Sequence, residues 1–454
     1  MSTTIQTINP YTNKPIKTYK LFEASEIESA LDTAEKTFLD WRKTDISKRI
    51  KLLKKVRNIL QEEKDPLGRL MTEEMGKPIS QSIAEIEKCA WLCDFYRKNA
   101  EDLLADELIK TEAKESFISY DPLGVILGIM PWNYPFWQVM RFAVPTLTAG
   151  NTVLLKHASN VTGCALAIQE LFKKAGYPEG CFQTLLADHN QIEKVIEDNR
   201  VKAVSLTGSE ATGKKIAEIA GRNLKKCVLE LGGNNACIVL ADADLDEYLN
   251  TMVNARMQNT GQSCIAAKRF IVEESIYNVF IEKFKNSISE LKIGNPENEE
   301  TEIGVLARID LADTLQKQVE DSLEMGAHVF FGNERKDAYY QPTVLTNVSE
   351  DMPVFSEETF GPVAAVIKVK NKDEAFQVNS NTRFGLGTMI ISKDIDDAFD
   401  RISDIEDGAF FINEMVKSDP RLPFGGTKAS GYGRELSREG ILEFVNKKTV
   451  YLNK

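Results

Sequence analysis

The first hundred residues carry apolar positions at the spacing of an α-helix. From residue 24 to about residue 104, apolar side chains recur three or four positions apart, as at Ile27, Ala30, Leu31, Ala34 and Phe38. This period gives each helix one apolar face to bury. The pattern therefore predicts a helical opening section.

After Gly124 the pattern changes to short aliphatic runs separated by stretches of helix length. The runs 125–130, 152–155, 203–207 and 228–231 are predicted strands, with helices predicted at 161–175 and 211–220. Continuous aliphatic strands that alternate with helices are typical of a parallel sheet covered on both faces. We therefore expect a doubly wound α/β domain here.

A second α/β series follows, with strands predicted at 236–240, 269–273, 363–369 and 389–392 and helices at 245–257 and 276–293. Two further segments, 115–120 and 445–452, have strand character outside both series. The segment 445–452 is expected to pair with another subunit or with the early strand. No internal repeat is evident.

Charge and length narrow the function classes. The chain has 454 residues, with 56 basic and 68 acidic residues that give a net charge of −12. Its lysines are scattered, so we expect neither nucleic acid nor an anionic membrane as a partner. The polar start and the lack of a long apolar run predict a cytoplasmic protein.

Cysteine and histidine are too sparse to indicate a metal site. Seven cysteines and three histidines occur, and none of them has the spacing of zinc ligands. We expect no metal, and we expect that any catalytic base is not histidine.

Three residues are candidates for chemistry, although each has a structural alternative. Cys264 follows a predicted helix between small residues, where a thiol is either a nucleophile or a buried packing residue. Glu230 ends a strand before two glycines and is either a general base of raised pKa or a solvated acid. Asn133, between two prolines, is either an oxyanion donor or a turn residue.

Two further segments suggest a nucleotide site. Gly208 and Ser209 join a predicted strand to a helix, and a helix N-terminus there is suited to a pyrophosphate. Glu358 and Phe360 lie in the sequence Glu-Glu-Thr-Phe-Gly-Pro, which is also compatible with a simple turn.

Taken in order, these motifs resemble the aldehyde dehydrogenase superfamily from Asn9-Pro10 to Phe444. The resemblance implies that Cys264 is the nucleophile, Glu230 the general base, and Asn133 with the Cys264 amide the oxyanion hole. The implied cofactor-binding residues are Trp132, Lys156, Gly208, Ser209, Leu231, Glu358 and Phe360.

The same resemblance implies a fold with a Rossmann-type parallel sheet, a second α/β catalytic domain and a small β oligomerisation arm. On this basis residues 1–110 and 124–231 form the dinucleotide-binding domain, 232–418 the catalytic domain, and 111–123 with 419–454 the oligomerisation arm and C-terminal tail. A homodimer or homotetramer is expected.

The amino-acid sequences around Lys156, Asn133 and Cys264 are most similar to those of the short microbial succinate-semialdehyde dehydrogenases. The expected reaction is the NAD(P)-dependent oxidation of an aldehyde, succinate semialdehyde in the first place, to a carboxylic acid. Another aldehyde, an acylating enzyme that uses coenzyme A, and a catalytically silent scaffold remain alternatives.

Cofactor and substrate preference depend on three residues. Ser159 stands where many relatives that prefer NAD carry a glutamate, so we expect NADP to be preferred and NAD to be a poorer substitute. Arg141 lies eight positions after Asn133, about two turns along a helix that is expected to begin at Asn133. Its planar guanidinium is expected to bind a substrate carboxylate. Ser418 is expected to be a second donor.

Overall fold

The computed structural model describes residues 3–453. The helices, in chain order, are α1 (Ala24–Trp41), α2 (Ile46–Glu62), α3 (Lys64–Met75), α4 (Ile79–Leu103), α5 (Trp137–Thr148), α6 (Thr162–Ala175), α7 (His189–Glu197), α8 (Glu210–Arg222), α9 (Leu245–Met257), α10 (Glu274–Ser289), α11 (Ile309–Glu324), α12 (Pro353–Ser356), α13 (Lys372–Ser380), α14 (Ile395–Phe399) and α15 (Ser437–Leu442).

The strands are β1 (Thr4–Asn9), β2 (Lys14–Lys20), β3 (Glu107–Leu108), β4 (Glu115–Pro122), β5 (Val125–Met130), β6 (Thr152–His157), β7 (Phe182–Thr184), β8 (Val201–Thr207), β9 (Lys226–Glu230), β10 (Ala236–Val239), β11 (Arg269–Glu273), β12 (His328–Phe331), β13 (Arg335–Lys336), β14 (Tyr339–Tyr340), β15 (Thr343–Thr346), β16 (Val363–Val369), β17 (Thr388–Ile391), β18 (Phe410–Ile412), β19 (Gly431–Tyr432) and β20 (Val445–Leu452).

The first large sheet has the order β19-β9-β8-β5-β6-β7 and is parallel except for β19. Alternate residues of β5 face opposite helical layers: Ile126 packs with residues of α2 to α6, whereas Val125 and Leu127 pack with residues of α1, α7 and α8. The strand order reverses between β5 and β8. Ligands of doubly wound sheets bind at the carboxyl ends of the strands at such a point.

The second large sheet has the order β12-β15-β16-β11-β10-β17-β18 and is parallel except for β12. It contains the predicted strands of the second α/β series. The bounds predicted for β5, β11, β16 and β20 agree with the structure, whereas the helix predicted at 276–293 is found at Glu274–Ser289.

A third sheet, β20-β4-β3, stands outside the two large ones. The strand β20 pairs antiparallel with β4 of the same chain, from Val445 opposite Pro122 to Leu452 opposite Glu115. Of the two pairings expected for 445–452, the structure therefore contains the one within the chain. The domain limits stay a prediction, although β19 lies in the range assigned to the tail and pairs with β9.

The sequence did not reveal where α5 begins. A helix was expected to start at Asn133, but α5 starts at Trp137, after Pro135. A proline disfavours the helical conformation of the residue before it, which delays the start. Arg141 is therefore about one turn, not two, into its helix. Within residues 3–453 no helix is long and apolar enough to cross a membrane.

Candidate active site

Two cavities meet at Cys264. One, of about 360 Å³, lies at the carboxyl ends of β5 and β8, and the other, of about 300 Å³, lies beside α4 and α5. Cys264 and Gln138 line both cavities. A group bound in either cavity therefore has access to the same sulfur, which is partly exposed while the other six cysteines are buried.

The loop before Cys264 is held in an unusual backbone conformation. Asn259, Thr260 and Gly261 have φ values of 56°, 53° and 73°, in the left-handed region that non-glycine residues rarely adopt. A side chain at Gly261 would collide with Gly361 and with the guanidinium of Arg256. The backbone of this loop therefore fixes the position of the Cys264 sulfur.

Hydrogen bonds complete that support. The Asn259 Nδ2 donates to the carbonyl oxygens of Asn133, at 2.8 Å, and Gln262, at 3.1 Å. The Arg256 guanidinium is fully buried and donates to the carbonyls of Gly261, Thr359 and Gly361. This arginine joins the loop before Cys264 to the segment that carries Glu358 and Phe360.

The electrostatic surroundings of Cys264 have opposing effects. Burial raises the pKa of the thiol to about 11, while the cations of Arg141 and Lys268 oppose the rise. The Lys268 ammonium is fully buried, donates to the carbonyls of Ser263 and Cys264 at 2.9 and 2.8 Å, and lies 3.5 Å from a carboxylate oxygen of Glu358. Thiolate formation at neutral pH depends on these cations.

Asn133 lies between β5 and α5 with its amide held from both sides. Its Nδ2 donates to the carbonyl oxygen of Gln262 at 3.1 Å, and its Oδ1 accepts from Gln138 Nε2 at 3.0 Å. Because an amide nitrogen carries two hydrogens, one remains for a further acceptor. Asn133 lines the cavity at the sheet edge together with Cys264. This is the arrangement that an oxyanion donor requires.

Glu230 ends β9 with a buried carboxyl group that has no hydrogen-bond partner among residues 3–453. Burial and the nearby Glu435 raise its pKa well above the usual value, while Arg141 and Arg434 oppose the rise. Its side chain lines neither cavity. Its charge nevertheless acts on Cys264, whose pKa it raises.

Most of the predicted cofactor residues line the cavity at the sheet edge: Trp132, Gly208, Ser209, Leu231, Glu358 and Phe360. The Ser209 hydroxyl accepts from Thr212 N at 3.3 Å and so caps α8, whose N-terminus is suited to a phosphate. The Glu358 carboxylate accepts from Gly233 N at 3.0 Å, and Gly232 leaves the space that this carboxylate occupies.

Lys156 and Ser159 do not line this cavity, but they follow the same sheet edge at the end of β6. Burial lowers the pKa of Lys156 to about 8, and its ammonium donates to the carbonyl of His157 at 2.6 Å. Ser159 is exposed, and residues 156–160 include no carboxylate. The edge therefore fits a dinucleotide, and residues 156–160 carry no charge that would repel a phosphate.

The second cavity contains the predicted substrate residues. Arg141 forms an ion pair with the buried Glu435, donates to Thr207 Oγ1 at 3.3 Å and packs on the Phe424 ring. Ser418 Oγ accepts from Trp137 Nε1 at 2.9 Å and from Lys88 Nζ at 3.0 Å. Arg141 and Ser418 thus share one cavity with Cys264.

Sequence reasoning missed three cations here: Lys88, Arg256 and Lys268. Lys88 had a usable signal, because Gln81, Ala84, Glu85 and Lys88 follow one face of α4 at helical spacing. Arg256 follows from no local pattern, since it binds the carbonyls of Thr359 and Gly361, which are 103 and 105 positions away. Lys268 binds the carbonyls of Ser263 and Cys264, five and four positions earlier, but no pattern in the chain indicates that its ammonium is buried there. Within residues 3–453 no cluster of histidine, cysteine and acidic residues has the arrangement of a metal site.

The pairing of two cavities through one cysteine, at the switch point of a parallel sheet, matches a known class. The model of the aldehyde dehydrogenase family matches residues 1–450, and this chain belongs to that family. The resemblance in fold class and family expected from the motifs is confirmed.

Among its relatives, a probable NADP-dependent succinate-semialdehyde dehydrogenase of Synechocystis is 49% identical over 99% of both chains. A succinate-semialdehyde dehydrogenase [NADP(+)] 1 of Mycobacterium tuberculosis is 46% identical over 99% of both. The crystal structure of a Streptococcus pyogenes succinic semialdehyde dehydrogenase with NADP+ superposes with a TM-score of 0.97 at 36% identity, covering 99% of this chain and 100% of that one.

Proposed function

We propose that this protein oxidises succinate semialdehyde to succinate with NADP as the preferred cofactor. The observation that carries this proposal is the position of Cys264 between a dinucleotide edge without acid at residue 159 and a cavity lined by Arg141 and Ser418. The names of the similar enzymes above support the same reaction and the same cofactor.

The first step uses the residues around the sulfur. The Cys264 thiolate, favoured by the cations of Arg141 and Lys268, adds to the aldehyde carbon and forms a carbon–sulfur bond. The free amide hydrogen of Asn133 stabilises the oxyanion that develops on the aldehyde oxygen. A nicotinamide cofactor would, when bound, supply the acceptor for the hydride that leaves the adduct, and Cys264 would then carry a thioester.

Glu230 acts in the second step. Its carboxyl group must lose its proton and reach the thioester before it can remove a proton from water. The attack of that water breaks the carbon–sulfur bond, releases the carboxylic acid and returns the thiol of Cys264. Since Glu230 lines neither cavity, this role requires its side chain to turn toward Cys264.

NADP binding is assigned to the sheet edge. We propose that the N-terminus of α8 with Ser209 faces the pyrophosphate, that Lys156 binds the adenosine ribose, and that Ser159 donates to its phosphate. Glu358 would hold the nicotinamide ribose, with Trp132 and Phe360 beside it. The two rings already pack edge to face, with centroids 5.6 Å apart.

The test is a comparison of substrates in the unmodified protein. We expect the catalytic efficiency for succinate semialdehyde to exceed that for butanal, an uncharged aldehyde of the same length, and NADP to exceed NAD. Both comparisons, of the two aldehydes and of the two cofactors, are measured by the absorbance of the reduced cofactor in assays with and without coenzyme A. An equal response to the two aldehydes would contradict the substrate assignment, and turnover that requires coenzyme A would favour an acylating enzyme.

Assembly and location belong to the same proposal. The sheet β20-β4-β3 exposes apolar side chains at Leu108, Tyr451 and Leu452, which suits a contact between copies of the chain. We propose a homodimer or homotetramer in the cytoplasm. Sedimentation equilibrium tests the assembly, and cell fractionation tests the location.

A further inference from the structure

Charge in the substrate cavity is unevenly compensated. Arg141 is paired with the buried Glu435, and Lys417 is paired with Glu414 at 2.5 Å. Lys88, on α4, has no carboxylate oxygen within 4.0 Å among residues 3–453. It is the cation of this cavity whose charge lacks a partner.

The acids near Lys88 are already occupied. Glu85, one turn earlier on α4, is paired with the buried Lys77 and accepts from the backbone N–H groups of Phe136 and Trp137 at 2.9 Å. Asp419 accepts from the Arg421 side chain at 2.6 and 2.9 Å. Neither acid is free to turn toward Lys88 without breaking these bonds.

The surroundings of Lys88 disfavour the charged form of its side chain. Burial and the nearby Arg141 lower the pKa of its ammonium to about 8, while Cys89, Glu85 and Asp419 oppose the shift. The ammonium lies 4.3 Å from the centroid of the Trp137 ring and is thus held in the cavity. The charged form of a half-buried ammonium without a carboxylate partner is stabilised by an anion that binds beside it.

Ser418 completes the seat for such an anion. Its oxygen accepts from both Lys88 and Trp137, which uses its two lone pairs. The hydroxyl hydrogen is therefore left to donate to a third group. An ammonium and a hydroxyl donor side by side are the elements of a carboxylate site.

We propose that Lys88 with Ser418 binds the terminal carboxylate of the aldehyde substrate, and that Lys88 is the main residue that distinguishes a charged from an uncharged aldehyde. Arg141 lies in the same cavity, but its charge is offset by Glu435, and its cation also acts on Cys264. Loss of Arg141 is therefore expected to weaken both aldehydes. This inference rests on the proposed function.

The experiment measures one ratio, the catalytic efficiency for succinate semialdehyde divided by that for butanal, at saturating NADP. In Lys88→Met we expect this ratio to fall about 30-fold or more, mostly through the KM for the semialdehyde, since a charge-assisted hydrogen bond is lost. In Lys88→Arg the ratio should be largely retained. The matched control is Lys417→Met, which removes a lysine of the same cavity that already has its own acid.

If the ratio of the two catalytic efficiencies in Lys88→Met stayed within about threefold of the unmodified value, the inference would be overturned, because the loss of a charge-assisted hydrogen bond should cost more than that. Ser418→Ala provides an independent variant, for which a smaller fall of about fivefold is expected from the loss of one neutral donor. An unmodified protein that shows no preference for the semialdehyde would instead overturn the proposed function. The two failures are therefore distinguishable.

Discussion

The two cavities that meet at Cys264 are built from different materials. The cavity at the sheet edge, called the dinucleotide cavity from here on, is formed by the carboxyl ends of neighbouring strands and the N-terminus of α8, together with side chains such as Glu358 and Phe360. The substrate cavity is formed by side chains from four segments that are far apart in sequence, among them Lys88 and Ser418, separated by 330 positions.

This difference separates what topology provides from what individual side chains provide. The reversal of strand order determines where the first cavity lies, and the side chains around it complete its lining. The second depends on charges such as Lys88 and Arg141, so substitutions there change selectivity while the sheet persists. The following predictions test that division, beginning with the residue that both cavities share.

Cys264→Ala should abolish oxidation, with a loss of about 10⁴-fold or more, because the covalent step has no other nucleophile. NADP binding, measured by quenching of tryptophan fluorescence, should be nearly unchanged if the dinucleotide cavity is independent of the sulfur. Cys227→Ala is the matched control: burial raises the pKa of Cys227 to about 11 as well, but Cys227 lines neither cavity. Turnover retained in Cys264→Ala would remove Cys264 as the nucleophile.

Glu230→Gln should lower steady-state turnover by about 10²- to 10³-fold, the usual contribution of a general base. Hydride transfer precedes the step that needs Glu230, so stopped-flow absorbance should show a burst of reduced cofactor followed by a slow phase. Because the pKa of Glu230 is raised, the fraction of its ionised form grows as pH rises. In the unmodified enzyme, hydrolysis of the thioester should therefore accelerate with pH. Steady-state turnover at the unmodified rate, without a burst, would contradict this role.

The sequence predicted the first region better than the second, for a physical reason. Strands such as β5 and β16 are continuous aliphatic runs, and their bounds follow from local composition. Lys88 and Ser418, by contrast, are 330 positions apart and come close only after folding, so no spacing in the chain predicts their contact. Arg141 was predicted in the substrate cavity, but its ion pair with Glu435 joins residues 294 positions apart and was not foreseeable.

Ser159→Glu should reverse the cofactor preference. A carboxylate beside the phosphate of NADP introduces like-charge repulsion, and we expect the ratio of catalytic efficiencies for NADP and NAD to fall about 100-fold. Ser159→Gln has the same size without the charge and should change the ratio far less. An NADP preference that survives the glutamate would place the phosphate elsewhere on the sheet edge.

The smallest effect is expected for Lys268, whose ammonium lies beside the backbone of Cys264, the residue that lines both cavities. Its ammonium lowers the pKa of Cys264, so Lys268→Met should raise that pKa by about one unit and slow alkylation of Cys264 by iodoacetamide at neutral pH. The pKa of Lys268 itself is about 8, and its charge disappears as pH rises through that value. The difference in alkylation rate between the variant and the unmodified protein should therefore be largest below about pH 8 and should shrink at higher pH.

A matched control for this measurement is Lys225→Met. Lys225 also donates to two backbone carbonyls, those of Ile196 and Asp198, but it lies before β9, at the opposite edge of the sheet from Cys264. Its loss should leave the alkylation profile of Cys264 in place, which separates the charge effect from any general loosening of the fold. If both variants shifted the profile equally, Lys268 would support the loop only mechanically, and Arg141 would be the cation that favours the thiolate.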